Sequence, residues 1–392
     1  MLSDEHRVNP VVASNGGTDA VVAWQTITGD PVEVRTRRNA GAWSPVHLLG
    51  GENARDPAVA MTPDGTAFVA LQTYDTDHRA RVGVSSDADG WRTTTYVSPL
   101  DVTARTPSIG FDTTGRGIAV WQVDRSTTST EIQVAERSPS GTWSEPRALS
   151  APGRVGTPHL AVASDGSAVV SWHGQAGRRS RIWAATRRAD GTWTDAAPLS
   201  SSVSYAVDPG VAALRDGDAA VSWIEVTGDA AKVDVARTTD GEWEPPTTVD
   251  TADEGPREMS RPGRAEMAPA LAYAPDGRLT VAWATTRNGT TQVSATRTDA
   301  DGRLVPKHAL SRPGEQAGGV TAARAPGGAT IIGWEEIDHD LLRARVRIGD
   351  ARCRDLAPPD GESGGVRMAG GTAPVAVYID LNRGRIMGVD LT

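Results

Sequence analysis

The sequence is poor in several residue types, and each scarcity excludes a class of protein. Cys353 is the single cysteine among 392 residues, which excludes an intrachain disulfide framework and a cysteine-based zinc cluster. No apolar run approaches the roughly 20 residues that a membrane-spanning helix needs. The net charge of −9 argues against a general nucleic-acid-binding protein.

Aromatic residues are also few, but their distribution is uneven. They make up 5% of the chain, with 12 Trp against 5 Tyr and 2 Phe. Such a preference for tryptophan indicates that particular structural positions require it. The first residues, MLSDEHRVNP, contain neither the basic nor the apolar segment of a signal peptide. We therefore expect either a secreted or cell-surface chain in its mature form or, alternatively, a cytoplasmic protein.

An internal repeat organises residues 1–392 into what we expect to be one β-propeller domain. A proline is followed fourteen positions later by tryptophan in five places, and related residues continue the series in three more. The repeats start near positions 10, 57, 107, 158, 209, 269, 320 and 366. Units of about 50 residues are typical of propeller blades.

Each unit contains the same sequence of strand and turn signals. Two apolar segments flank a turn such as Asp64-Gly65 or Asp165-Gly166, and an alternating segment such as VDVART follows. A second glycine turn then precedes a short final segment. Period-two alternation with glycine turns predicts a four-stranded antiparallel meander. The sequence thus predicts an all-β protein, an eight-bladed β-propeller.

The two ends of the chain predict how the ring closes. The last unit supplies three strands, and the N-terminal segment aligns with the end of a fourth strand. We expect the N-terminal strand to complete the last blade, because this removes an open sheet edge. A seven-bladed ring is the alternative, although it would leave three strands unplaced.

The turns between the third and fourth strands resemble a known family. RRADGTWT and RTTDGEWE are similar to the Asp-box turn of sialidase-type propellers, although Asp and Gly are adjacent here. The whole repeat resembles the propeller arrays of actinobacterial secreted proteins and, more loosely, bacterial propeller lectins. This resemblance implies the fold and not the chemistry. A sialidase would also need an N-terminal R-I-P signature, which this sequence lacks.

The function is expected in features that do not recur from blade to blade. Arginines precede the first strand of several blades, and a ring of guanidinium groups suits a carboxylate or sulfate. Trp183 replaces a polar residue in the series Glu33, Gln133, Asp234 and Gln292, and His173 replaces the glutamine of blades one to three. The predicted ligand-binding residues are Arg55, Arg105, Arg154, Arg264, Trp183, His173 and Tyr74.

The loops between the second and third strands of blades two and seven carry carboxylates and histidine. These side chains suit acid–base chemistry, and a loop-bound divalent cation is an alternative use. No complete metal-binding motif is present, so we expect no cofactor and no metal. If the protein is an enzyme, the predicted catalytic residues are Asp77, His78, Glu335, Glu336 and His339.

Two functions remain in competition at this point. The preferred function is a non-catalytic, lectin-like recognition module that binds a glycan or another polar or anionic polymer through loops around the propeller axis. The alternative is a carbohydrate-active enzyme, either a glycoside hydrolase or a polysaccharide lyase. A platform for protein interactions is a third interpretation. The expected partner is therefore a glycan or polar polymer, with no nucleic acid and no membrane span.

Overall fold

The structure is a computed structural model. It describes residues 2, 7–26, 31–75, 77, 79–176, 179–228, 230–239, 241–252, 268–358 and 361–391. These residues form eight antiparallel sheets that follow one another along the chain. The eight-bladed propeller predicted from the repeat is confirmed.

The strands of the first four blades follow the order of the chain within each sheet. They are β1 (Arg7–Ser14), β2 (Ala20–Thr26), β3 (Val32–Arg37), β4 (His47–Leu49), β5 (Arg55–Met61), β6 (Ala67–Tyr74), β7 (Ala80–Ser86), β8 (Thr94–Tyr96), β9 (Thr103–Phe111), β10 (Gly117–Ser126), β11 (Ser129–Arg137), β12 (Arg147–Ala148), β13 (His159–Val162), β14 (Ala168–Ala176), β15 (Arg179–Arg187) and β16 (Ala197–Pro198).

The last four blades are built in the same way, except that the outer strand of blade five is in two pieces and blade eight has three strands. They are β17 (Tyr205–Ala213), β18 (Ala219–Thr227), β19 (Ala230–Thr239), β20 (Glu242–Trp243), β21 (Thr247–Ala252), β22 (Ala270–Tyr273), β23 (Leu279–Arg287), β24 (Thr290–Arg297), β25 (His308–Ala309), β26 (Ala317–Arg324), β27 (Thr330–Asp338), β28 (Leu341–Ile348), β29 (Arg354–Asp355), β30 (Ser363–Ala369), β31 (Val375–Asp380) and β32 (Arg385–Asp390). Three 3₁₀ turns cover Asp87–Asp89, Arg215–Gly217 and Pro326–Gly328.

Each interface between blades is filled by one large side chain from a second strand. In all eight hydrophobic clusters this side chain packs against the preceding blade. The eight buried side chains are Trp24, Leu71, Trp121, Trp172, Trp223, Trp283, Trp334 and Tyr378. The recurring tryptophans thus form the hydrophobic contacts between blades, and the core of the described residues is divided among these interfaces.

The N-terminus closes the ring beside the last strand, as predicted. The Leu2 backbone N–H donates to the Ile386 carbonyl at 2.8 Å, and Leu2 is 2% exposed. Its side chain packs in one cluster with Trp24 of blade one and Val377 of blade eight. Leu2 therefore occupies the fourth-strand position of blade eight and covers an edge that would otherwise be open.

The innermost strands carry a bulge at the end where the chain enters them. The register shifts there in six blades, and one residue in each bulge has a positive φ. Bulges re-aim side chains and bend a strand locally. These residues are Asn9, Asp56, Thr106, Asp208, Gly319 and Gly365.

Within the described part of the chain, no helix is both long and apolar enough to cross a membrane. This agrees with the absence of long apolar runs in the sequence.

Candidate functional site

Polar side chains of blades two and three meet at the bulged end of the propeller. This end contains the starts of β5 and β9 and the ends of β6 and β10, so the antiparallel order brings four chain segments together. We call this group the mouth cluster: Arg55, Asp56, Gln72, Tyr74, Arg105, Thr106 and Asp124.

The Tyr74 hydroxyl is held by two donors from its own blade. Arg55 Nη2 donates to Tyr74 Oη at 2.6 Å, and Gln72 Nε2 donates to the same oxygen at 3.1 Å. The Arg55 guanidinium carbon lies 5.6 Å from the centre of the Tyr74 ring. Arg55 and Tyr74, both predicted from the sequence, are therefore in direct contact.

Arg105 forms an ion pair with Asp124 in blade three. Three polar atoms beside this pair are buried and have no hydrogen-bond partner among the described residues: Arg105 Nε, Asp124 Oδ1 and Thr106 Oγ1. A buried polar atom without a partner costs about 1–3 kcal/mol. The mouth cluster therefore offers both donors and acceptors that a bound polar molecule or water would satisfy.

Asp56 connects the two halves of the cluster electrostatically. Burial raises the pKa of Asp56, and the positive charges of Arg55 and Arg105 oppose this rise. Its backbone N–H donates to Gln25 Oε1 of blade one at 3.0 Å. The two predicted arginines thus act on one carboxyl group, although they belong to different blades.

His173 lies at the same end of blade four, pressed against the strand beside it. Burial lowers the pKa of His173, and the charge of Asp208 partly opposes this change. The His173 carbonyl accepts the Gly156 backbone N–H at 2.8 Å. A Cβ atom added at Gly156 would lie only 2.0 Å from the imidazole Cε1. Glycine is required at position 156 because the imidazole of His173 occupies the space that a Cβ atom would fill.

Replacing Gly156 with Ala should lower the free energy of unfolding by about 1–3 kcal/mol, because the new methyl group overlaps the imidazole. The measurement is urea unfolding. Gly153→Ala is the matched control in the same connection, since a Cβ there meets nothing within 4 Å. Adding His173→Ala to Gly156→Ala should restore most of the loss, and equal losses in the two glycine variants would contradict this packing.

The other predicted ligand-binding residues of blade four lie apart from the mouth cluster. Arg154 is exposed, and its carbonyl accepts the Gln175 N–H at 2.7 Å. Trp183 pairs across the sheet with Trp172 and packs with the cluster between blades three and four. Arg264 lies outside the described residues.

The strand register also corrects the series that singled out Trp183. In blade six the residue opposite the core Trp283 is Ser294, not Gln292, which lies two residues earlier on the strand. The series therefore remains polar, with Trp183 as its aromatic member.

The two glutamates of blade seven point to opposite sides of β27. Glu336 is 1% exposed, and its Oε2 accepts the Trp334 indole N–H at 2.9 Å. Glu335 Oε1 accepts the backbone N–H of Gly365, the bulge residue of blade eight. Burial raises the pKa of Glu335, against the effect of that hydrogen bond. Glu335 therefore makes a contact that joins blades seven and eight, whereas Glu336 holds the indole of Trp334 within blade seven.

Two further predicted catalytic residues, Asp77 and His339, are in exposed turns. His339 is 93% exposed, with Nδ1 2.7 Å from Asp338 Oδ1. Asp77 is exposed in the loop of blade two, and His78 lies outside the described residues. No hydrogen bond or ion pair between described residues joins these two loops. In the same part of the chain, no group of three His, Cys, Asp or Glu side chains could hold a metal ion.

Thr106, Asp124 and Asp56 were not singled out from the sequence. A usable signal was present for two of them, because Asp56 and Thr106 directly precede the anchor prolines of blades two and three. Asp124 lies three residues after the core Trp121, where no motif marks it. Their convergence depends on the bulges and on the contact between neighbouring blades.

Comparison with known proteins supports the fold and leaves the family open. No family model matches the chain, and no curated protein matches it. Among solved structures, the BP39L lectin from Burkholderia pseudomallei is 15% identical with a TM-score of 0.57, covering 91% of this chain and 100% of the lectin.

Two enzyme structures show a similar degree of likeness. An ulvan lyase, a polysaccharide lyase bound to -[GlcA(1-4)Rha3S]-, is 9% identical with a TM-score of 0.55, covering 91% of this chain and 97% of the lyase. A puromycin hydrolase variant is 18% identical with a TM-score of 0.51, covering 86% of this chain and 54% of the hydrolase. At these identities the likeness establishes a β-propeller fold shared with lectin and carbohydrate-active proteins.

Proposed function

We propose that this propeller is a recognition module that binds an anionic glycan through the mouth cluster. The observation that supports this most is the group of buried, unpartnered polar atoms on Arg105, Thr106 and Asp124. Two arginines lie beside these atoms, and guanidinium groups bind carboxylate and sulfate by paired hydrogen bonds.

The arrangement also favours a glycan over a small inorganic anion. Arg55 stacks on the Tyr74 ring, and Tyr74 supplies an apolar surface with a polar tip. The protein carries a net charge of −9, so an anionic polymer would be held by these local contacts and not by overall attraction. A secreted or cell-surface location is part of this proposal, because acidic polysaccharides are available there.

The test is calorimetric titration of the purified chain with polygalacturonate, alginate and dermatan sulfate, with neutral dextran as the comparison. Arg55→Gln and Arg105→Gln should each weaken binding of the acidic polymer about tenfold or more, because each removes a charge-assisted hydrogen bond. Arg303→Gln is the control, since Arg303 is 80% exposed in a turn of blade six. Equal binding of dextran and the acidic polymers would exclude the proposal.

The second candidate function is a polysaccharide lyase, which the placement of the Tyr74 hydroxyl between Arg55 and Gln72 favours. In an elimination, a base removes the proton beside the carboxylate, a carbon–carbon double bond forms, and the bond to the leaving sugar breaks as its oxygen takes up a proton from water. Tyr74 would act as that base. Release of unsaturated product by the wild type, lost in Tyr74→Phe with binding retained, would establish the enzyme. Binding without product supports the recognition module.

A further inference from the structure

A second cavity lies between the same two blades and includes no residue of the mouth cluster. This cleft of about 720 Å³ runs between blade two and blade three, beside β8 and the turn that follows β11. Its volume is within the range of small-molecule sites. We call it the side cleft, and its walls include Phe68, Ser86, Tyr96, Arg137 and Trp143.

Arg137 places a positive charge in this cleft. No carboxylate of the described residues lies within ion-pair distance of its guanidinium group. Its guanidinium carbon lies 5.0 Å from the centre of the Phe68 ring. Among the described residues, its one hydrogen bond is from Nη1 to the Gly115 carbonyl, at 3.4 Å. Burial lowers the pKa of Arg137, and the negative charge of Asp64 opposes this change only in part.

The equivalent arginines of two other blades have such a partner in the preceding blade. Arg187 of blade four donates from Nη2 to Glu136 Oε2 at 2.7 Å and from Nη1 to the Gly166 carbonyl at 2.8 Å. Arg37 of blade one pairs with Asp390 of blade eight. A carboxylate of the preceding blade thus pairs with this guanidinium in blades one and four.

Strand pairing identifies the residue that replaces the carboxylate in blade two. Glu136 pairs with Ile118, three residues before the core Trp121. In blade two, Ser86 pairs with Phe68, three residues before the core Leu71. Ser86 therefore occupies the position of Glu136, and its short side chain leaves space in front of Arg137.

The cleft also contains an aromatic surface that is held in place. The Arg81 guanidinium carbon lies 4.5 Å from the centre of the Tyr96 ring, and Arg81 is itself fixed by hydrogen bonds to Ser98. Tyr96 is 42% exposed. A rigid ring next to open space can stack on the apolar face of a sugar. Hydroxyl groups also line the cleft, together with the carboxylate of Glu145; they come from Ser85, Thr93, Thr95, Thr142 and Ser144.

We infer that the side cleft is a binding site for an acidic sugar, in which the carboxylate of a uronic acid pairs with Arg137 in the place that Glu136 and Asp390 fill elsewhere. The sugar ring lies against Tyr96 and its hydroxyls meet the polar walls. This site is separate from the mouth cluster, because the two share no residue.

The test is titration of the ¹⁵N-labelled protein with methyl β-D-glucuronide and, in parallel, methyl β-D-glucoside. The Trp143 indole signal, assigned with Trp143→Phe, reports binding. We expect saturable binding of the glucuronide and at least about tenfold weaker binding of the glucoside, because the latter cannot pair with Arg137.

Two variants test whether the glucuronide binds in the side cleft. Ser86→Glu supplies the missing carboxylate and should weaken glucuronide binding at least about tenfold without loss of thermal stability. Tyr96→Ala should also weaken it, whereas Tyr205→Ala, at a side chain of similar exposure in blade five, should not.

Arg303→Gln, in an exposed turn of blade six, is the control for charge and should leave glucuronide binding unchanged. If Ser86→Glu folds poorly, Arg137→Gln tests the same contact. Equal binding of glucuronide and glucoside, no saturation, or unchanged binding in Ser86→Glu or in Arg137→Gln would each overturn the inference.

Discussion

Replacing Trp334 with Ala should lower the free energy of unfolding by about 3–5 kcal/mol, the range for truncating a buried large aromatic side chain. Trp334 is fully buried and packs on Ala282, Ala284 and Val293 of blade six. Its indole N–H also donates to Glu336 Oε2 at 2.9 Å. The variant therefore leaves both a cavity and a buried acceptor that has lost its donor.

Urea unfolding followed by far-UV circular dichroism measures this loss. Tyr205→Ala is the control, because this ring is 46% exposed and its removal should change the free energy by less than about 0.5 kcal/mol. In a propeller each blade contacts mainly its two neighbours, so the loss acts at one interface of the ring. A decrease below 1 kcal/mol in Trp334→Ala would show that the strand-two aromatics are not the main contacts between blades.

Replacing Glu336 with Ala should cost about 3 kcal/mol of folding free energy. The loss leaves the Trp334 indole N–H without an acceptor and removes a negative charge that lies 3.8 Å from Arg345 Nε. Glu336→Gln keeps an accepting oxygen, so it should retain much of the stability. Thermal and urea unfolding of both variants measure the difference.

His339→Asn is the matched control in the same hairpin. The side chain is 93% exposed, and asparagine tolerates the positive φ of 51° at this position. We expect a change below about 0.5 kcal/mol. If Glu336→Ala unfolds like the wild type while a carbohydrate-directed activity disappears, Glu336 acts in catalysis and not in holding Trp334.

The arrangement of strands was predictable because its determinants are local and repeated. Each blade carries the same glycine turns and the same aromatic position, so eight weak signals support one interpretation. Closure was predictable for the same reason, since the N-terminal segment aligns with a known part of the repeat. Leu2 takes the place that the alignment assigns to it.

The acidic run predicts a loop at Glu335 and Glu336, whereas the structure places both residues in β27, and one signal for this was present. Their catalytic role stays a prediction. Side chains two residues apart lie on the same face of a strand. Trp334 faces the neighbouring blade, so Glu336 must face it as well, while Glu335 faces the other way. The acidic run predicts a common site for the two carboxylates only if it forms a loop. Both residues lie in β27, and a strand places neighbouring side chains on opposite faces.

The sequence by itself determined the fold class, the number of blades and the residues between them, because these follow from periodicity and from turns that glycine permits. The tertiary structure alone decided which polar groups meet. Arg105 and Asp124 belong to different strands, and Asp56 to a different blade. The surroundings of Arg137 differ because Ser86 of blade two stands at the position that Glu136 fills in blade three. Such convergence depends on bulges and inter-blade contacts, and these arise only once the ring is assembled.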